Sequence, residues 1–472
     1  MLKEFAYQKL ANNLQENIEK GIFSNGTKLP SVRNLSKNNN LSVSTVLQAF
    51  YELEKRGLIV AKEKSGYYVN FQFDKNILTK TVSYKPKARL INKTSLINSI
   101  INSLNTKDFV SISSSLLPAD LIPSAEIARL MKRAINENTD YLNAYCTPPG
   151  LYDLRYEIYK KYTSLGLNIS PDDIVITNGC IEAISFSLQT VAKAGDIIAI
   201  ESPTYYGLLQ LIESLGMYAL ELPTDPITGI DMEQFEKISE MIKIKACILI
   251  PNFNNPLGSL MPDANKKALI EITNKKGIPV IESDVYSDLH FDDYRPKSLK
   301  FYDNENLVFT CSSLSKSVSA GLRIGWVING RYNPEIEKLK FIHTISSPTI
   351  NQLTAALYLK DSNYERQLKI LRKNLKIKKA ELISILVKNL PEDEIKISNP
   401  QGGFLLWLQL PKEIDSFELY QEALKVNLAI IPGIICSPSQ KYKNFIRLSA
   451  GFTDRYEMEQ RIKILAKLIQ KC

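Results

Sequence analysis

SSLSKSVSAGLRIGW, residues 312–326, is the most informative stretch of this 472-residue chain. It places Lys316 just after Ser313 and Ser315 and a short distance before Arg323. An amine can form a Schiff base with an aldehyde, and hydroxyls and a guanidinium can hold a phosphate by charge-assisted hydrogen bonds. The stretch therefore suggests a site for an aldehyde cofactor that carries a phosphate, although a lysine after serines is more often only a surface residue.

Two earlier segments end predicted strands with groups that the ring of pyridoxal phosphate requires. Asp284, in IESDVY, can pair with the ring nitrogen and keep it protonated, which makes the ring an electron sink. Asn255, in PNFNNPLG, and Tyr286 can hydrogen-bond the phenolic oxygen of the ring. With Lys316, these residues indicate pyridoxal 5'-phosphate as the cofactor.

Two further segments supply a stacking partner and a phosphate cradle. Tyr205, in ESPTYYG, offers an aromatic face that can stack on the ring. TNGCIEAI places Gly179, Cys180 and Ile181 at the start of a predicted helix, where backbone amides can bind phosphate. Each of these residues taken singly has a competing structural explanation, but their order along the chain favours a cofactor site.

Five β-rich runs, DIVIT, DIIAIE, KACILIP, IPVIES and LVFTCSS, alternate with amphipathic stretches from about residue 108 onward. This alternation predicts an α/β domain with a mainly parallel central sheet. In such sheets ligands gather at the carboxyl ends of the strands. Because the candidate residues follow these runs, the pattern places them at one edge of the sheet.

The order of these motifs resembles the fold-type I aminotransferases over nearly the whole second domain, from Tyr145 to Arg447. The resemblance implies that Arg447, in FIRLSAGF, grips a substrate carboxylate, for which a bidentate guanidinium is suited. It also implies that Tyr145, in NAYCTPPG, reaches the phosphate bound by a partner subunit, and hence a dimer. The chain departs from the family at Cys180-Ile181 in the phosphate loop. It departs again in SISSSLLPAD, which lacks the glycine usually found near the substrate carboxylate.

The first seventy residues have the pattern of three helices followed by a hairpin. Apolar residues recur at helical spacing across KLANNLQENIEKGI, which predicts a first helix. Ser31 can cap a short second helix, and NNN separates it from a third, LSVSTVLQAFYELEKRG. Four apolar residues of the third helix are predicted to pack inward, namely Val46, Ala49, Phe50 and Leu53. LIVAKEKSGYYV then predicts two strands and a turn, as in a wing laid against a phosphate backbone.

The order LPSVRNLS, LSVSTVLQAFYELEKRGLI and KSGYYV resembles the GntR-type winged helix over about residues 5 to 69. The family usually has a basic residue where this chain has Val43. The resemblance implies that the first turns of the third helix enter a major groove of double-stranded DNA. The residues predicted to contact DNA are Arg33, Ser42, Ser44, Thr45, Gln48, Lys62, Lys64 and Gly66. A three-helix bundle used for protein contacts is the alternative.

The distribution of charge supports a nucleic-acid partner. The chain carries 59 basic and 50 acidic side chains, and residues 1–95 hold 16 of the basic and only 7 of the acidic ones. The remaining residues are balanced, with 43 of each. The whole positive excess therefore lies in the first fifth of the chain, as expected of a nucleic-acid-binding module.

These patterns divide the chain into three parts. Residues 1–70 are predicted to form the winged helix-turn-helix, and residues 108–472 the cofactor, effector and dimerisation domain. Residues 71–107 are predicted to be a flexible basic linker that ends in a short helix around Leu96 to Leu104. The basic side chains of the linker are Lys75, Lys80, Lys85, Lys87, Arg89 and Lys93.

The composition excludes several other classes of protein. The six cysteines are scattered without CxxC spacing, which indicates reduced thiols rather than disulfides or zinc ligands. With only two histidines, His290 and His343, a metal site or a histidine-based triad is not expected. The longest apolar runs have the length of core strands and fall short of the roughly 18 to 20 residues of a membrane span. A cytoplasmic protein is expected.

A GntR-type reader followed by an aminotransferase-like domain is the layout of the MocR subgroup, which this chain resembles end to end. The resemblance implies a head-to-tail homodimer that binds operator DNA and has at most vestigial transaminase activity. Its signal is pyridoxal phosphate itself or an amino-acid-like effector, sensed through the Schiff base on Lys316. A working aminotransferase with a DNA-binding N-terminal domain is the alternative, because Lys316, Asp284 and Arg447 serve both functions.

Overall fold

The structure, a computed structural model, describes residues 5–19, 23, 27–56, 58–62, 65–69, 78–105, 109–361, 363–390, 395–439 and 441–471. Its helices are α1 (Ala6–Glu19), α2 (Val32–Asn39), α3 (Val43–Lys55), α4 (Thr94–Asn105), α5 (Ser124–Glu137), α6 (Tyr152–Ser164), α7 (Cys180–Val191), α8 (Tyr206–Ser214), α9 (Met232–Met241), α10 (Asp263–Lys276), α11 (Asn333–Thr344), α12 (Thr349–Lys360), α13 (Asn363–Asn389), α14 (Ser416–Leu424) and α15 (Arg455–Ile469).

The strands are β1 (Ile59–Lys62), β2 (Gly66–Val69), β3 (Ala88–Leu90), β4 (Val110–Ser111), β5 (Ile174–Thr177), β6 (Ile197–Ser202), β7 (Tyr218–Asp225), β8 (Gly229–Ile230), β9 (Ala246–Leu249), β10 (Val280–Ser283), β11 (Val308–Ser313), β12 (Gly325–Ile328), β13 (Lys396–Ile397), β14 (Leu405–Gln409), β15 (Leu428–Ala429), β16 (Ile431–Pro432) and β17 (Phe445–Ser449). Across the ranges described, no helix combines the length and the apolarity that crossing a membrane requires.

The N-terminal unit packs three helices and a hairpin around one small core, as the sequence predicts. Ser31 and Ser42 cap α2 and α3, and each side-chain oxygen accepts a hydrogen bond from a backbone amide three residues on. Such a cap stabilises a helix by about 1 kcal/mol. The four residues of α3 predicted to point inward are all buried. Strand β1 pairs antiparallel with β2, with Ile59 opposite Val69, so the predicted wing is present.

The large unit is built on a sheet in the order β3-β7-β6-β9-β10-β11-β12-β5, with β8 paired to β7. The five runs predicted as strands form β5, β6, β9, β10 and β11. The pairs from β7 through to β11 are parallel, whereas β12 is antiparallel to both of its neighbours. Strands β9, β10 and β11 are buried along their whole length, as expected of the central strands of a parallel sheet that is covered on both faces.

A second, antiparallel sheet in the order β13-β14-β17-β16 covers the site from the C-terminal part of the chain. Its strand β17 carries Arg447, which pairs in register with Trp407 on β14 and with Ile431 on β16. A separate parallel pair joins β15, which immediately precedes β16 in the chain, to the short strand β4. The arginine is thus held on a central strand rather than on a loop.

The segment before the large unit differs from the prediction of a solvated linker. Residues 88–90 form β3, which pairs antiparallel with the edge strand β7. Lys93, predicted as a linker cation, is buried, and its Nζ donates to the carbonyl oxygens of Ile434 (2.5 Å) and Ser437 (2.6 Å). Helix α4 follows directly. Part of the predicted linker is therefore integrated into the large unit, while residues 70–77 and 106–108 lie outside the described residues.

Candidate functional site

The carboxyl edge of the large sheet collects the residues that the sequence singled out. Strands β5, β6, β9, β10 and β11 are followed there by loops or helix starts, and β12 begins at the same edge because it runs in the opposite direction. The residues brought to this edge are Gly179, Cys180, Ile181, Tyr205, Asn255, Asp284, Tyr286, Ser313, Ser315, Lys316 and Arg323. Arg447 joins them from β17 of the second sheet.

Lys316 ends a single tight turn, residues 314–316, that follows β11. Ser313 starts this turn, and its hydroxyl accepts a hydrogen bond from the amide of Ser315 (3.4 Å). The Nζ of Lys316 donates to the carbonyl oxygen of Ser115 (2.7 Å). Burial, together with the nearby guanidiniums of Arg447 and Arg323, lowers the pKa of Lys316 from 10.5 to about 8. The amine is therefore prepared to act as a nucleophile near neutral pH.

The lowered pKa predicts how aldehyde capture by Lys316 depends on pH. With a pKa of about 8, about a tenth of the amine is unprotonated at pH 7, against roughly one part in three thousand at the ordinary value. We expect the rate of attachment of added pyridoxal phosphate to rise about tenfold per pH unit below pH 8 and to level off above it. Stopped-flow absorbance across pH 6 to 10 measures this, and Arg447→Met should move the inflection to higher pH. A wild-type inflection near pH 10 would contradict the lowered pKa.

The predicted phosphate cradle depends on two glycines. Gly179 caps α7 at φ +91°, and a Cβ there would lie 2.4 Å from Nη2 of Arg323. A Cβ on Gly325 would lie 2.8 Å from the backbone nitrogen of Cys180. The guanidinium of Arg323 donates to the carbonyl oxygen of Asn178 (2.8 Å) and so lies against the start of the helix. Only glycines permit this approach of a cation to the first amides of α7.

The two residues that depart from the family in the phosphate loop do not obstruct the cradle. The thiol of Cys180 lies 3.8 Å from the Ser283 hydroxyl, and burial raises its pKa to about 12. It is therefore neutral near pH 7 and brings no negative charge toward a phosphate. Ile181 is 41% exposed and faces away from the core. The amides of α7 remain available because they do not depend on these side chains.

Asp284 carries contacts that the sequence did not predict. Its carboxylate accepts hydrogen bonds from the hydroxyl of Ser287, from the phenol of Tyr162 (3.1 Å) and from Arg295 (2.5 Å). Nε of Arg295 also donates to Asp288 (2.8 Å), so one guanidinium joins two carboxylates. These groups fix the orientation of Asp284 and partly balance its charge.

Arg295 is the charged residue at the site that the sequence did not predict. It lies in a loop, HFDDYRPKS, whose return to the end of β10 no periodic pattern indicates. One signal was available, because the sequence contains no other arginine between Arg155 and Arg323. An isolated arginine eleven residues after a candidate ring-binding aspartate is a reasonable choice as its partner.

Arg447 is fully buried but retains binding capacity. Its Nη2 donates to the carbonyl oxygen of Ser113 (2.8 Å) and its Nη1 to the amide oxygen of Asn255 (3.0 Å), whereas its Nε has no hydrogen-bond partner among the described residues. Nδ2 of Asn255 in turn donates to the phenol of Tyr286 (3.3 Å), whose pKa burial raises to about 12. A chain of contacts thus connects Arg447 to both residues predicted to face the phenolic oxygen. The ring of Tyr206, 5.7 Å from the guanidinium, was not predicted.

The predicted stacking residue lies beside this chain. Tyr205 is half-buried, and its ring centroid is 4.6 Å from that of Tyr206. Gly207 allows this placement, since a Cβ there would lie 2.5 Å from the Tyr205 ring. Burial raises the pKa of Tyr205, so its phenol stays neutral.

The residues present fit pyridoxal phosphate. Within the described parts of the chain, no carboxylate forms an ion pair with Lys316, Arg323 or Arg447. Three cations held together without acidic partners favour a ligand with at least two negative groups, such as a phosphate and a carboxylate. The unpartnered Nε of Arg447 and the glycine cradle point to the same chemistry.

Tyr145, predicted to reach a partner subunit, is 81% exposed. The segment that follows it is anchored by the buried Lys340, whose Nζ donates to the carbonyl oxygens of Pro148 (2.6 Å) and Ile176 (2.5 Å). Because this buried lysine donates to two carbonyl oxygens, it fixes the position of the loop against β5. The phenol of Tyr145 thus projects from a firmly held segment, and its role in a dimer remains a prediction.

The residues predicted to contact DNA lie on α2, on α3 and at the wing. Arg33, Ser42, Ser44, Gln48, Lys62 and Gly66 are exposed, and Thr45 is half-buried. Lys64 lies outside the described residues. The hydroxyl of Ser42 contacts those of Ser44 (2.8 Å) and Thr45 (2.7 Å), so these three hydroxyls form one local cluster. Nζ of Lys62 lies 4.5 Å from the Tyr68 ring centroid, beside the wing turn.

Comparison with known proteins covers both units. The model of bacterial regulatory proteins of the gntR family matches residues 6–69, and that of aminotransferase class I and II matches residues 107–464. The chain is 33% identical over 465 residues to the uncharacterized HTH-type transcriptional regulator YjiR of Escherichia coli K12, covering 98% of this chain and 99% of the relative. It is 35% identical over 473 residues to the uncharacterized regulator YdcR of the same organism, with the same coverage.

A solved structure matches the large unit. The kynurenine aminotransferase of Pyrococcus horikoshii is 27% identical and superposes with a TM-score of 0.75, covering 80% of this chain and 95% of that structure. Aminotransferases of this fold depend on pyridoxal phosphate, which is therefore the cofactor of this site. The chain belongs to the aminotransferase class I and II family and, with its gntR-type N-terminal unit, to the HTH-type transcriptional regulators of the MocR type.

Proposed function

We propose that this transcriptional regulator senses pyridoxal phosphate, an amino-acid-like effector or both, through Lys316, and converts occupancy of the site into a change in DNA affinity. The observation that carries the proposal is the lysine of lowered pKa beside two unpaired guanidiniums, on the same chain as a winged-helix reader. The family match supports DNA binding by the reader. The proposal adds that occupancy of the cofactor site changes this DNA binding.

Each residue of the site has a separate task in this proposal. Bound pyridoxal phosphate supplies an aldehyde that a primary amine captures reversibly. Lys316 is the amine that retains the cofactor. Groups that hold the phosphate are Arg323, the amides of Gly179, Cys180 and Ile181, and the hydroxyls of Ser313 and Ser315. Groups that orient the ring are Asp284 at its nitrogen, Asn255 and Tyr286 at its phenolic oxygen, and Tyr205 on its face.

Arg447 is the group that selects the effector. Its guanidinium is buried and keeps one nitrogen free, so binding a carboxylate there replaces a buried, unpaired donor with a charge-assisted pair. Amino acids combine such a carboxylate with a primary amine. If pyridoxal phosphate alone is the signal, Arg447→Ala leaves the response to added cofactor intact, and this outcome separates the two forms of the proposal.

The path from the site to the reader passes through Glu221 on β7. Its buried carboxylate accepts hydrogen bonds from the hydroxyls of Ser202 (2.7 Å), Ser437 (2.5 Å) and Ser439 (2.6 Å), and from Nζ of Lys441 (2.8 Å). Burial alone would raise the pKa of Glu221, but the bonds from Lys441, Ser437 and Ser439 outweigh it, so the pKa lies below its ordinary value. A charged carboxylate thus joins the end of β6 to residues 433–439 and 441, which we call the coupling loop.

The coupling loop contacts the site on one side and the chain that leads from the reader on the other. On the site side, the carbonyl oxygen of Cys436 accepts the amide of Thr204 (2.9 Å), next to Tyr205. On the other side, Nζ of Lys441 lies 2.9 Å from the ring centroid of Tyr84, and Lys93 donates into the loop. The loop also leads into β17, which carries Arg447. A shift of this loop on effector binding therefore pulls on the segment that holds the reader.

We further propose a head-to-tail homodimer formed through α7 and α11, which pack together beside β5. Large apolar side chains are exposed on these helices, with Ile181 at 41%, Phe341 at 58% and Ile342 at 66%. Apolar groups clustered in this way favour a partner surface.

The dimer predicts that Ile342→Glu yields a monomer, because a carboxylate cannot be desolvated in an apolar interface. Sedimentation equilibrium of the purified protein measures the change in mass. Met241→Glu, at a position on α9 that is 85% exposed, is the matched control and should leave the dimer intact. A wild-type monomer, or a dimer that persists with Ile342→Glu, contradicts the proposed surface.

DNA titration tests the proposed function as a whole. We expect the protein to bind a duplex from the region upstream of its own gene, with an affinity that falls steeply between two salt concentrations. Added pyridoxal phosphate, alone or with amino acids, should change that affinity about fivefold or more. Steady transamination of an amino acid with 2-oxoglutarate, without specific DNA binding, would instead establish a working enzyme with a basic N-terminal unit.

A further inference from the structure

The outer face of α3 is neutral and partly apolar over its first two turns. Val43, the first residue of the helix, is 49% exposed, and Leu47, one turn later, is 44% exposed. Gln48 lies beside them and is also exposed. From Val43 to Tyr51 the sequence contains no charged residue. A reading helix with this surface cannot use the bidentate contact of arginine or lysine with guanine, which is the commonest specific contact in a major groove.

The cations of the reader lie outside this face. Arg33 is exposed on α2 and Lys62 on β1 of the wing, and exposed cations of this kind contact phosphates. Phosphate contacts fix the register of a protein on a duplex but do not read the bases. Base reading is thus left to the neutral side chains of α3.

The polar groups near the start of α3 are already largely engaged. The hydroxyl of Ser42 accepts the amide of Thr45 (3.1 Å) and contacts the hydroxyls of Ser44 and Thr45. Within the part of the chain that the structure describes, the side-chain amide of Gln48 has no hydrogen-bond partner. The groups left to face base pairs are therefore the apolar side chains of Val43 and Leu47 and the amide of Gln48, and Val43 is the one in the first turn of the helix.

We propose that Val43 reads a thymine through its 5-methyl group, so that the operator has an A·T pair under the first turn of α3. The methyl of thymine is the one apolar group that a base edge presents in the major groove, and an aliphatic side chain is its natural partner. Gln48 supports the same reading, because its amide can bond adenine at N6 and N7. This inference rests on the proposed function, since it specifies the sequence that the regulator binds.

Uracil substitution isolates the proposed contact, because uracil differs from thymine only by the missing methyl. The wild-type protein first selects a duplex from a random-sequence pool, and each thymine of the selected half-site is then replaced in turn by uracil. At one position the replacement should weaken wild-type binding about fourfold, the loss expected for one buried methyl group. Val43→Ala should bind the thymine and uracil duplexes within about 1.5-fold of each other.

Two further variants complete the experiment. Val60→Ala, at an exposed valine on β1, should keep the fourfold difference of the wild type. Val43→Arg should move the preference at that position toward guanine. Because both valines are partly exposed, thermal unfolding of the variants should match that of the wild type.

The outcomes separate this inference from the proposed function. Selection that yields no enriched sequence contradicts the regulator itself. Enrichment of a sequence in which no thymine is sensitive to uracil contradicts only the role of Val43, as does a sensitive thymine that stays equally sensitive with Val43→Ala. In the latter cases the exposed Val43 and Leu47 belong to a protein contact rather than to base reading.

Discussion

Lys316→Ala is expected to abolish covalent retention of pyridoxal phosphate and, with it, the response of DNA binding to cofactor. The Nζ of Lys316 is the amine that the turn after β11 presents, and its lowered pKa makes it reactive near neutral pH. Alanine leaves the phosphate-binding groups of the protein in place but removes the nitrogen that forms the bond to the cofactor. The absorbance of purified protein with added cofactor measures the loss, and the band at the edge of the visible range should disappear completely.

Two variants control this experiment. Lys316→Arg keeps a cation at the position but cannot capture an aldehyde, so it should also lack the band. Lys360→Ala changes an exposed lysine at the end of α12 and should retain both the band and the response. A band that persists in Lys316→Ala would remove Lys316 from the proposal, and a lost band with an unchanged DNA response would separate the cofactor from regulation.

Glu221→Gln is expected to abolish the effect of cofactor on DNA affinity while both cofactor binding and DNA binding are retained. Glutamine keeps the shape of the side chain but removes the charge that Lys441 and the three serine hydroxyls share. Each hydrogen bond to a charged group contributes about 1.5–3 kcal/mol, so losing the charge frees the coupling loop from β7. The cofactor band and the basal DNA affinity should stay close to wild type. The change in DNA affinity on adding cofactor should fall from about fivefold or more to less than about twofold.

Two matched variants test that result. Lys441→Met removes the opposite partner of the pair and should have the same effect as Glu221→Gln. Glu233→Gln on α9 removes a carboxylate from an exposed pair with Lys237 and should leave the response unchanged. A full response in both Glu221→Gln and Lys441→Met would show that the coupling loop does not carry the signal.

The sequence predicted those parts of the fold that local patterns determine. The capped helices of the reader and the β-rich runs of the sheet have strong periodic or compositional signals, and both appear in the structure as expected. The candidate site was predictable for a related reason, since polar residues that follow parallel strands must meet at one edge. Arg323 reaches the same edge because β12 is antiparallel to its neighbours. Its place in the site was predicted from its closeness to Lys316 in the sequence, without knowledge of that direction.

Features that depend on contacts between residues distant in the sequence were not predictable. Strand β3 has three residues and no alternating pattern, and it exists because the edge of β7 offers unpaired backbone groups. Lys93 resembled one more linker cation, yet two carbonyl oxygens of a segment about 340 residues later enclose it. Arg295 likewise reaches Asp284 only after its loop folds back. In each case the partner is distant in sequence and carries no motif of its own.

The segment before α4 is anchored to the large unit, and this limits how far the reader can lie from that unit when it binds DNA. Only eight residues separate Val69, the last residue of the wing, from Leu78, the next that the structure describes. A chain of that length spans at most about 30 Å, which is less than one helical turn of the duplex. The distance between Val69 of the reader and Leu78 of the large unit therefore cannot exceed that length. In a dimer of the proposed kind, the distance between the two readers can differ from the distance between the two Leu78 residues by at most twice that reach, so the large units limit which half-site spacings one dimer can bind.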